Sequence, residues 1–515
     1  MTLFKQYLAA NMRSIREVIH EGTGRGVALI DSMQNETFYL YGLLKTGVIF
    51  ADLEGLTPVA YPFERATRKQ RLIVNSLCRC VVPSRRRFLS TILSHSWIVI
   101  KRTLKLSNLR DVLAIEIDGC KIGPYVYDAS YVPRAERVTL WQRIKVAYLL
   151  MCHYMDRAVI DAYPVQLVLV GDPAGRTGML FELCRARGIR TISAINVDVL
   201  QMQKYFTREQ YKLHYRDVPE SALALVYGNP LLDRKIDEYF TVRFSGAIQQ
   251  HDVVRAFADH KVVCTKTELC EDYGLRPDLP LVFVMAHVFT DAPHAYPPML
   301  YRDYEDWVIR TVLALAKNHS VNFLIKEHPS AQLYGESGIL GQMLEKVGWQ
   351  GRLLRSDLHT MSVLSAADAI VTCGGTIGIE ASCCGIPVVL AARPPYAGKG
   401  FTHEPISITE YEDLLAFHIG QLHRLTREQV CRAKQVAYVT FELFDNDGQT
   451  LEFGRVPFMR GQTFNIEQYY RNVIEDSKIP LYEQRLYKIL KRFHGSDDLS
   501  IINYDKLRSV LLSAG

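Results

Sequence analysis

The chain has 515 residues, of which 48% are hydrophobic and 23% charged, and it carries a formal net charge of +6. This composition excludes a disordered or fibrous protein, and the length predicts two globular domains with a further C-terminal segment. Because the apolar runs are far shorter than the roughly 20 residues that cross a bilayer, we expect no transmembrane segment.

The N-terminus and the cysteines indicate the compartment. Lys5, Arg13 and Arg16 interrupt the apolar positions of the N-terminal stretch, so we expect no secretory signal peptide. The chain has 11 cysteines and no CxxC pair, which is typical of free thiols in a reducing environment. These features predict a cytoplasmic protein.

One segment carries the whole excess of positive charge. Residues 65–110 contain twelve Lys or Arg side chains and no Asp or Glu, and subtracting twelve from +6 leaves −6 for the rest of the chain. Apolar residues are interleaved with the cations at 85–93 and 95–102, which favours contact with an anionic membrane surface or an anionic acceptor. The alternative is a solvated basic face beside a buried strand. The first interpretation places the protein at the inner face of the plasma membrane.

Short β-branched runs that lead into helical patterns predict βα units and a mostly parallel sheet in the first half. The predicted strands are 26–32, 46–53, 165–172 and 189–196. Residues 173–188 are typical of a helix that ends at its glycine.

The second half repeats this pattern. Its predicted strands are 281–287, 321–328, 369–375 and 386–392, and its predicted helices are 303–319 and 376–385. Two such units in series predict an α/β fold with two Rossmann-like, doubly wound domains that face a cleft. Open sheets of this kind bind ligands beyond the carboxyl ends of their strands.

Glycine, proline and acidic residues interrupt the pattern at 269–280 and indicate a domain boundary. We therefore predict an N-terminal Rossmann-like domain at 1–275, a C-terminal Rossmann-like domain at 276–435, and a helical segment at 436–515 that packs back on both.

Polar side chains follow the strand at 321–328, which delivers Lys326, His328 and Pro329 to its carboxyl end. A histidine there can donate a hydrogen bond to a phosphate oxygen, and the lysine adds a positive charge. A structural histidine that caps a turn is the alternative.

A Gly-Gly turn, Gly374 and Gly375, leads into a predicted helix at Thr376, with Glu380 one turn further on. Backbone N–H groups of Gly375 and Thr376 can bind a phosphate at a helix N-terminus, and Glu380 can accept from ribose hydroxyls. The alternative is a tight turn that needs glycine only for its backbone angles.

His287, Asp291 and His294 follow the strand at 281–287. Nearby prolines exclude the regular helix that would place these side chains on one face, so we expect no metal site. We expect a loop that holds a ligand across the cleft.

Two carboxylates of the first half, Asp118 and Asp128, are candidates for a general base, which must lie near the hydroxyl that it deprotonates. Both lie in a predicted strand-and-turn region, and each is alternatively an ordinary turn residue. The Gly-rich turn at 171–178 matches neither GxGxxG nor a P-loop, and we interpret it as acceptor-side architecture.

Five stretches of the second half resemble, in order and spacing, the capsule-polysaccharide synthesis family and its relatives, including Kdo transferases and HP-motif sialyltransferases. These stretches are 285–294, 303–312, 322–330, 371–389 and 395–405. The resemblance covers about residues 270–415. It implies a GT-B fold and a glycosyltransferase of capsule or lipopolysaccharide synthesis that moves a sugar from a nucleotide-linked donor to a growing bacterial surface polysaccharide.

The resemblance also implies roles for single residues. His328 and Pro329 match the HP motif, whose histidine contacts the donor phosphate, and Thr376 stands where the family has a Ser or Thr at that phosphate. Glu380 falls in the stretch that cradles the nucleoside, and Lys399 falls in the last of the five stretches. The implied donor is CMP-Kdo or another CMP-linked nonulosonate, with no metal ion or other cofactor.

In the implied arrangement, the N-terminal domain binds a saccharide or lipid-linked saccharide acceptor and the C-terminal domain binds the nucleotide-sugar. The Asp/Glu-Asp/Glu-Gly motif that supplies the base in related sialyltransferases is half present, because Ile117 precedes Asp118 and Gly119. Asp128 therefore remains a second candidate.

Three other functions fit parts of this pattern. A CDP-glycerol-type glycerophosphotransferase shares the C-terminal layout, and a nucleotide-sugar epimerase shares the twin-domain cleft. A non-catalytic polysaccharide assembly or binding protein would keep the cleft without a working base.

Overall fold

The computed structural model describes most of the chain in two compact units. The described residues are 2–16, 26–32, 37–61, 67–80, 85–132, 137–196, 200–212, 217–227, 229–245, 261–295, 299–444 and 465–512. Unit 1 comprises Met1–Arg216, Phe444–Phe458 and Gln462–Asn503, and unit 2 comprises Asp217–Leu443, Met459–Gly461 and Tyr504–Gly515. Residues 217–275, which the sequence pattern assigns to the N-terminal domain, thus group with the second unit.

Unit 1 is built on a six-stranded sheet. Its strands are β1 Val27–Asp31, β2 Thr57–Tyr61, β3 Arg79–Cys80, β4 Val165–Val170, β5 Arg190–Asn196 and β6 Leu200–Tyr205. The strand order is β3-β2-β1-β4-β5-β6, and only β6 runs antiparallel to its neighbour in this sheet of the described residues. The six strands have the 3-2-1-4-5-6 order of the Rossmann fold, in which the winding reverses between β1 and β4.

Helices cover both faces of this sheet. They are α1 Leu3–Arg16, α2 Thr37–Leu53, α3 Arg68–Leu77, α4 Arg85–Leu104, α5 Leu109–Leu113, α6 Gly123–Ser130, α7 Leu140–Ile160 and α8 Gly175–Arg187. Successive residues of a strand point to opposite faces. Accordingly, Ala28 and Ile30 join the core beneath α1–α3, whereas Val27 and Leu29 join the core beneath α4–α8. Burial on both faces explains the continuous apolar runs of these strands.

The predicted strand at 46–53 is wrong, because these residues form the last turns of α2. Every residue from Tyr41 to Phe50 is buried, so this helix shows no polar face. A short run that is apolar on all sides cannot be assigned to helix or strand by its periodicity. The strands that pair with β1 are β2 and β4, and the sequence pattern predicts neither β2 nor β6.

Unit 2 contains a four-stranded parallel sheet. Its strands are β7 Leu281–Met285, β8 Asn322–Lys326, β9 Ala369–Thr372 and β10 Val388–Leu390, in the order β10-β9-β7-β8. The winding therefore reverses between β7 and β9. All four strands predicted for the second half are present, and the α/β class with two Rossmann-like units is confirmed.

The helices of unit 2 alternate with these strands. They are α9 Glu220–Val226, α10 Pro230–Phe244, α11 Lys266–Asp272, α12 Tyr304–Leu315, α13 Ile339–Lys346, α14 Thr360–Ala366, α15 Ile377–Cys383, α16 Ile408–Asp413 and α17 Arg427–Tyr438. The two predicted helices correspond to α12 and α15. Asp303 caps α12, because its carboxylate accepts a hydrogen bond from the Asp306 N–H at 2.7 Å.

The C-terminal region forms α18 Ile466–Asp476, α19 Arg485–His494 and α20 Tyr504–Leu512. Tyr469, Leu490 and Phe493 from the first two helices complete the core beneath α1–α3 of unit 1. The last helix groups with unit 2, where Lys506 pairs with Glu442 at 2.6 Å.

Candidate functional site

A cavity lies at the carboxyl ends of the strands of unit 2. Its lining comes from the ends of β7, β8 and β9, the starts of α14 and α15, and the last turn of α10. The lining residues are Arg243, Met285, Ala286, His287, Lys326, Glu327, His328, Pro329, Thr360, Thr372, Gly375, Thr376, Ile377 and Glu380. Because the winding of the sheet reverses between β7 and β9, the cavity occupies the position where open α/β sheets bind ligands.

His328 lies two residues beyond β8 and lines the cavity. Its Nδ1 accepts a hydrogen bond from the backbone N–H of Ser330 at 3.1 Å. A nitrogen that accepts cannot carry the ring proton, so in the neutral ring Nε2 is the donor. Pro329 lies between the two bonded residues and restricts the turn that brings them together. The chain thus fixes the orientation of a neutral hydrogen-bond donor at the cavity.

His287, at the end of β7, supports the Gly-Gly turn. Its Nε2 accepts a hydrogen bond from the Gly374 N–H at 3.2 Å, and Thr372 Oγ1 lies 3.4 Å from the same nitrogen. The ring stacks on Tyr304 with the centroids 4.6 Å apart. Burial, with a smaller effect from the neighbouring His328, lowers the pKa of His287 to about 3, so this ring is neutral at physiological pH. His287 therefore ties the ends of β7 and β9 together.

The Gly-Gly turn is also held from its other side. Tyr396 Oη donates a hydrogen bond to the carbonyl oxygen of Gly375 at 2.6 Å. A side chain at Gly378 would overlap the Tyr396 hydroxyl, so this close approach requires glycine. Thr376 is the N-cap residue of α15 and contributes to the lining of the cavity. The predicted Gly-Gly turn is thus present, and its two N–H groups donate to His287 Nε2 and, at 3.4 Å, to Thr372 Oγ1. Anion binding by this turn stays a prediction.

Lys326 is the last residue of β8, and its side chain is buried at the cavity. Its Nζ donates a hydrogen bond to the Leu358 carbonyl oxygen at 2.8 Å. Burial and the nearby Lys261 lower the pKa of Lys326 to about 7, against the opposing effect of Asp357. The ammonium group therefore titrates within the physiological range.

Arg243 is a cavity residue that the sequence pattern does not indicate. Its Nε and Nη2 lie 2.7 Å and 2.6 Å from Oε1 of Glu380. Both side chains are almost fully buried, with 4% and 5% exposure. Phe441 stacks on the guanidinium at 4.3 Å, and Tyr239 Oη accepts from Nη1 at 3.0 Å. Burial disfavours the charged arginine, but the carboxylate more than offsets it, so the pKa of Arg243 is raised.

Glu380 is predicted from the sequence to accept from ribose hydroxyls, and the structure shows that it also pairs with Arg243. The only sequence signal is that a carboxylate beside a buried βα turn needs a cation. Because 137 residues separate Arg243 from Glu380, the sequence does not identify that cation.

Lys399, predicted to bind the donor, is not among the lining residues of this cavity in the described part of the chain. Its Nζ lies 2.8 Å from the Glu220 carboxylate and donates to the Val218 carbonyl oxygen at 3.1 Å. The lysine thus holds the segment before α9.

Asp291 and His294 lie in the loop after β7 and are likewise absent from the described lining of the cavity. Glu336 holds the start of this loop by accepting hydrogen bonds from the N–H groups of Phe289 at 2.7 Å and Thr290 at 2.8 Å. No group of three or more His, Cys, Asp or Glu side chains is placed to bind a metal ion in the described ranges.

The two candidates for the general base, Asp118 and Asp128, lie in different parts of unit 1. Asp118 lies in a turn, as predicted. Asp118 and Gly119 have φ angles of 51° and 79°, and the Asp118 side chain pairs with Arg157 while remaining 53% exposed. The following Lys121 N–H donates to the Glu182 carboxylate on α8 at 2.9 Å. This contact places the turn beside the C-terminal half of α8, toward the amino ends of the strands.

Asp128 lies on α6 instead of in the predicted strand-and-turn region. A side chain at Gly178 would overlap Tyr125, and a Cβ at Gly175 would lie 3.5 Å from that of Ala129. Helix α6 therefore runs antiparallel to α8, and its last turn reaches the N-terminus of α8. The turn of α6 that carries Asp128 thus lies near the start of α8, the helix that follows β4, on the side where such sheets bind ligands.

Comparisons with solved structures give distant matches. The Thermosulfurimonas dismutans KpsC β-Kdo 2,4-transferase matches with 14% identity and a TM-score of 0.35, over 60% of this chain and 88% of that chain. Anabaena Alr3699/HepE in complex with UDP-glucose matches with 12% identity and a TM-score of 0.26, over 82% of this chain and 96% of that chain.

Sequence comparisons point to one family. The chain is 27% identical over 139 residues to the capsule polysaccharide modification protein LipA of Neisseria meningitidis serogroup B. This match covers 27% of the chain and 19% of LipA, so the chain spans about a fifth of that relative. Residues 303–439 match the family model described as capsule polysaccharide biosynthesis protein. The resemblance to the capsule-polysaccharide synthesis family is therefore confirmed over residues 303–439.

Proposed function

We propose that this chain is a glycosyltransferase of bacterial surface-polysaccharide synthesis, which moves a sugar from a nucleotide-linked donor to a saccharide acceptor. The observation that carries the proposal is the cavity of unit 2. It brings His328, Thr376 and Glu380, three residues of the capsule-family segment, to one reversal point of a parallel sheet.

The donor phosphate is the group that this cavity suits. The Nε2–H of His328 donates a hydrogen bond to a phosphate oxygen, Thr376 and the amides at the start of α15 surround it, and Lys326 adds positive charge. As the bond between the sugar and the phosphate oxygen breaks, negative charge develops on that oxygen. Fixed donors directed at it lower the barrier without reorganisation.

The Arg243–Glu380 pair suits the nucleoside. Both guanidinium contacts end on Oε1 of Glu380, so Oε2 is the oxygen that we expect a ribose hydroxyl to reach. The resemblance favours CMP-Kdo or another CMP-linked nonulosonate as the donor.

In the proposed reaction, the acceptor hydroxyl oxygen bonds to the anomeric carbon and loses its proton to a carboxylate base, for which Asp128 and Asp118 are the candidates. The bond from that carbon to the phosphate oxygen breaks, and the nucleotide leaves with the electron pair. Asp128 is the favoured base, because it lies at the carboxyl edge of its sheet, whereas Asp118 pairs with Arg157 beside the C-terminal half of α8. The reaction as written needs no metal ion or other cofactor.

The test compares His328→Ala with His319→Ala, which replaces an exposed histidine of the same unit. With CMP-Kdo and an oligosaccharide acceptor, we expect kcat to fall by about 10² or more in the first variant only, as for loss of one oxyanion donor. Circular dichroism and thermal unfolding establish that both variants fold. Normal turnover by folded His328→Ala protein would refute the assigned role.

Product analysis separates the alternative functions. A transferase releases CMP and extends the acceptor, and it does so in the presence of EDTA. An epimerase converts the sugar nucleotide without an acceptor, a glycerophosphotransferase instead uses CDP-glycerol, and an assembly protein binds the nucleotide without turnover.

A further inference from the structure

A stripe of large apolar side chains is exposed along α4 of unit 1. Its members are spaced by three or four residues and therefore share one helical face: Leu89, Leu93, Trp97, Ile100 and Leu104. Leu93, Trp97 and Leu104 are 79%, 71% and 70% exposed. A surface helix normally presents polar residues to solvent. An exposed apolar stripe of this size therefore indicates a binding surface.

The opposite side of α4 already has its packing partner. Val99 joins the core beneath α4–α8, and His95 stacks on Tyr154 of α7 with the ring centroids 4.0 Å apart. Arg143 Nη1, near the start of α7, donates to the carbonyl oxygen of Thr103 at 2.7 Å. The two helices therefore run antiparallel, with the first turns of α7 beside the last turns of α4.

The first turns of α7 extend the exposed apolar surface. Leu140, Trp141 and Ile144 are 74%, 67% and 54% exposed. We name this surface the α4–α7 face and define it as Leu89, Leu93, Trp97, Ile100, Leu104, Leu140, Trp141 and Ile144. It contains two of the four tryptophans of the chain, both outside the hydrophobic cores of unit 1.

Cations flank this face. Exposed Arg86 precedes the stripe, and exposed Lys101 lies between its last two members, Ile100 and Leu104. Exposed Lys105 follows Leu104, and exposed Lys145 adjoins Ile144 on α7. The sequence contains no Asp or Glu from 65 to 110, although Arg65 lies outside the described residues. Apolar side chains ringed by cations match an anionic bilayer, where tryptophan occupies the headgroup region and lysine reaches the phosphates.

The length of α4 fits a helix that lies on the membrane. The twenty residues of α4 span about 30 Å. Among the described helices, none is both long and apolar enough to cross a bilayer. We propose that the α4–α7 face docks this chain on the surface of an anionic lipid bilayer, with α4 parallel to the membrane and Trp97 and Trp141 inserted among the headgroups. This proposal does not depend on the sugar-transfer reaction.

The test measures binding of the full chain to sedimented lipid vesicles. We expect binding to phosphatidylcholine mixed with phosphatidylglycerol, and much weaker binding to phosphatidylcholine alone. Trp97→Ser with Trp141→Ser should lower the affinity by at least about tenfold, because two large apolar groups no longer insert. Lys101→Glu with Lys105→Glu should lower it by roughly fivefold or more for each charge.

Matched controls replace the same residue classes in unit 2. Ile406→Ser with Phe417→Ser removes exposed apolar groups, and Lys317→Glu with Arg427→Glu makes the same change of charge. Both controls should bind vesicles like the parent chain. Thermal unfolding of every variant shows that folding is kept.

Three outcomes would overturn the proposal. The first is equal vesicle binding by the face variants and their controls, and the second is absence of binding by the parent chain to anionic vesicles at low salt. The third is self-association of the parent in sedimentation velocity that the tryptophan variant relieves without any change in vesicle binding. That result would assign the face to contacts between copies of the chain.

Discussion

The two units use the same edge of a parallel sheet in different ways. In unit 1, polar side chains at or near the carboxyl ends of strands bond to one another. Thr177 Oγ1 donates to the Asp31 carboxylate at 2.9 Å, and Tyr61 Oη donates to buried Asp156 at 2.6 Å. Arg176 pairs with the same Asp156 oxygen at 3.2 Å.

In unit 2, polar side chains at this edge bond largely to the backbone. His328 accepts from Ser330 N–H, His287 accepts from Gly374 N–H, and Tyr396 donates to the Gly375 carbonyl. Backbone partners fix the orientation of these rings, and His287 has in addition the Thr372 hydroxyl at 3.4 Å. The Arg243–Glu380 ion pair is the exception in unit 2, since it joins two side chains. The difference teaches that the backbone orients the two histidines of unit 2, whereas buried carboxylates of unit 1 bond to other side chains. We therefore expect the base proposed for unit 1 outside this cluster.

The largest expected effect is on kcat, and it tests whether the base lies outside the Asp31 and Asp156 cluster. Asp128→Asn should lower kcat by about 10² to 10⁴, the usual contribution of a general base, while Asp118→Asn should change it by less than about threefold. The two substitutions are chemically identical and both affect carboxylates outside the Asp31 and Asp156 cluster. Transfer to the acceptor is measured under saturating donor. The reverse ranking of the two variants would move the base to the turn beside Arg157.

Much of unit 2 could be predicted because its signals are local. A strand, a turn residue and a helix start lie within a few positions of each other at His328 and again at Thr376. The same holds for the helix that ends at Gly188, whose φ of 66° is the left-handed conformation expected of a C-terminal glycine.

The rest depends on contacts that the sequence does not encode locally. Arg243 reaches Glu380 only through the fold, and Asp128 acquires its place at the sheet edge from the packing of α6 on α8. The run at 46–53 gives a wrong strand prediction because burial on all sides removes the periodicity that distinguishes a helix.

A second prediction compares buried and exposed ion pairs. Arg243→Met leaves the buried Glu380 carboxylate without its cation, which should reduce the free energy of unfolding by about 3–5 kcal/mol. Arg276→Met, which breaks the exposed pair with Asp278, should leave the urea midpoint of unfolding nearly unchanged. Urea unfolding followed by far-UV circular dichroism measures both.

The comparison becomes sharper with a double variant. Adding Glu380→Leu to Arg243→Met removes the unpaired carboxylate and should recover much of the lost stability, because the remaining groups are apolar. If the single Arg243→Met variant were as stable as Arg276→Met, the buried pair would not be needed to hold α10 against α15.

The smallest expected effect is a pH dependence of nucleotide affinity. Lys326 carries its charge below its pKa of about 7 and loses it as the pH rises through that value. Because the charged form attracts the phosphate, CMP affinity should fall by up to about tenfold as the pH rises from about 6 to about 8. Isothermal titration calorimetry at constant ionic strength measures the change.

Lys326→Met isolates this contribution. Its CMP affinity should be low and should keep only the pH dependence of the CMP phosphate, whose second pKa is about 6. His328→Ala should keep the dependence that Lys326 causes. The stability of the folded chain supplies a separate check on the sign. The pKa is lower in the folded state than the ordinary lysine value of 10.5, so the unfolded chain binds more protons between about pH 7 and that value. The free energy of unfolding should therefore rise with pH across this range in the parent chain, and it should rise less in Lys326→Met. Equal slopes of unfolding free energy against pH in the two proteins would show that Lys326 keeps its charge in the cavity.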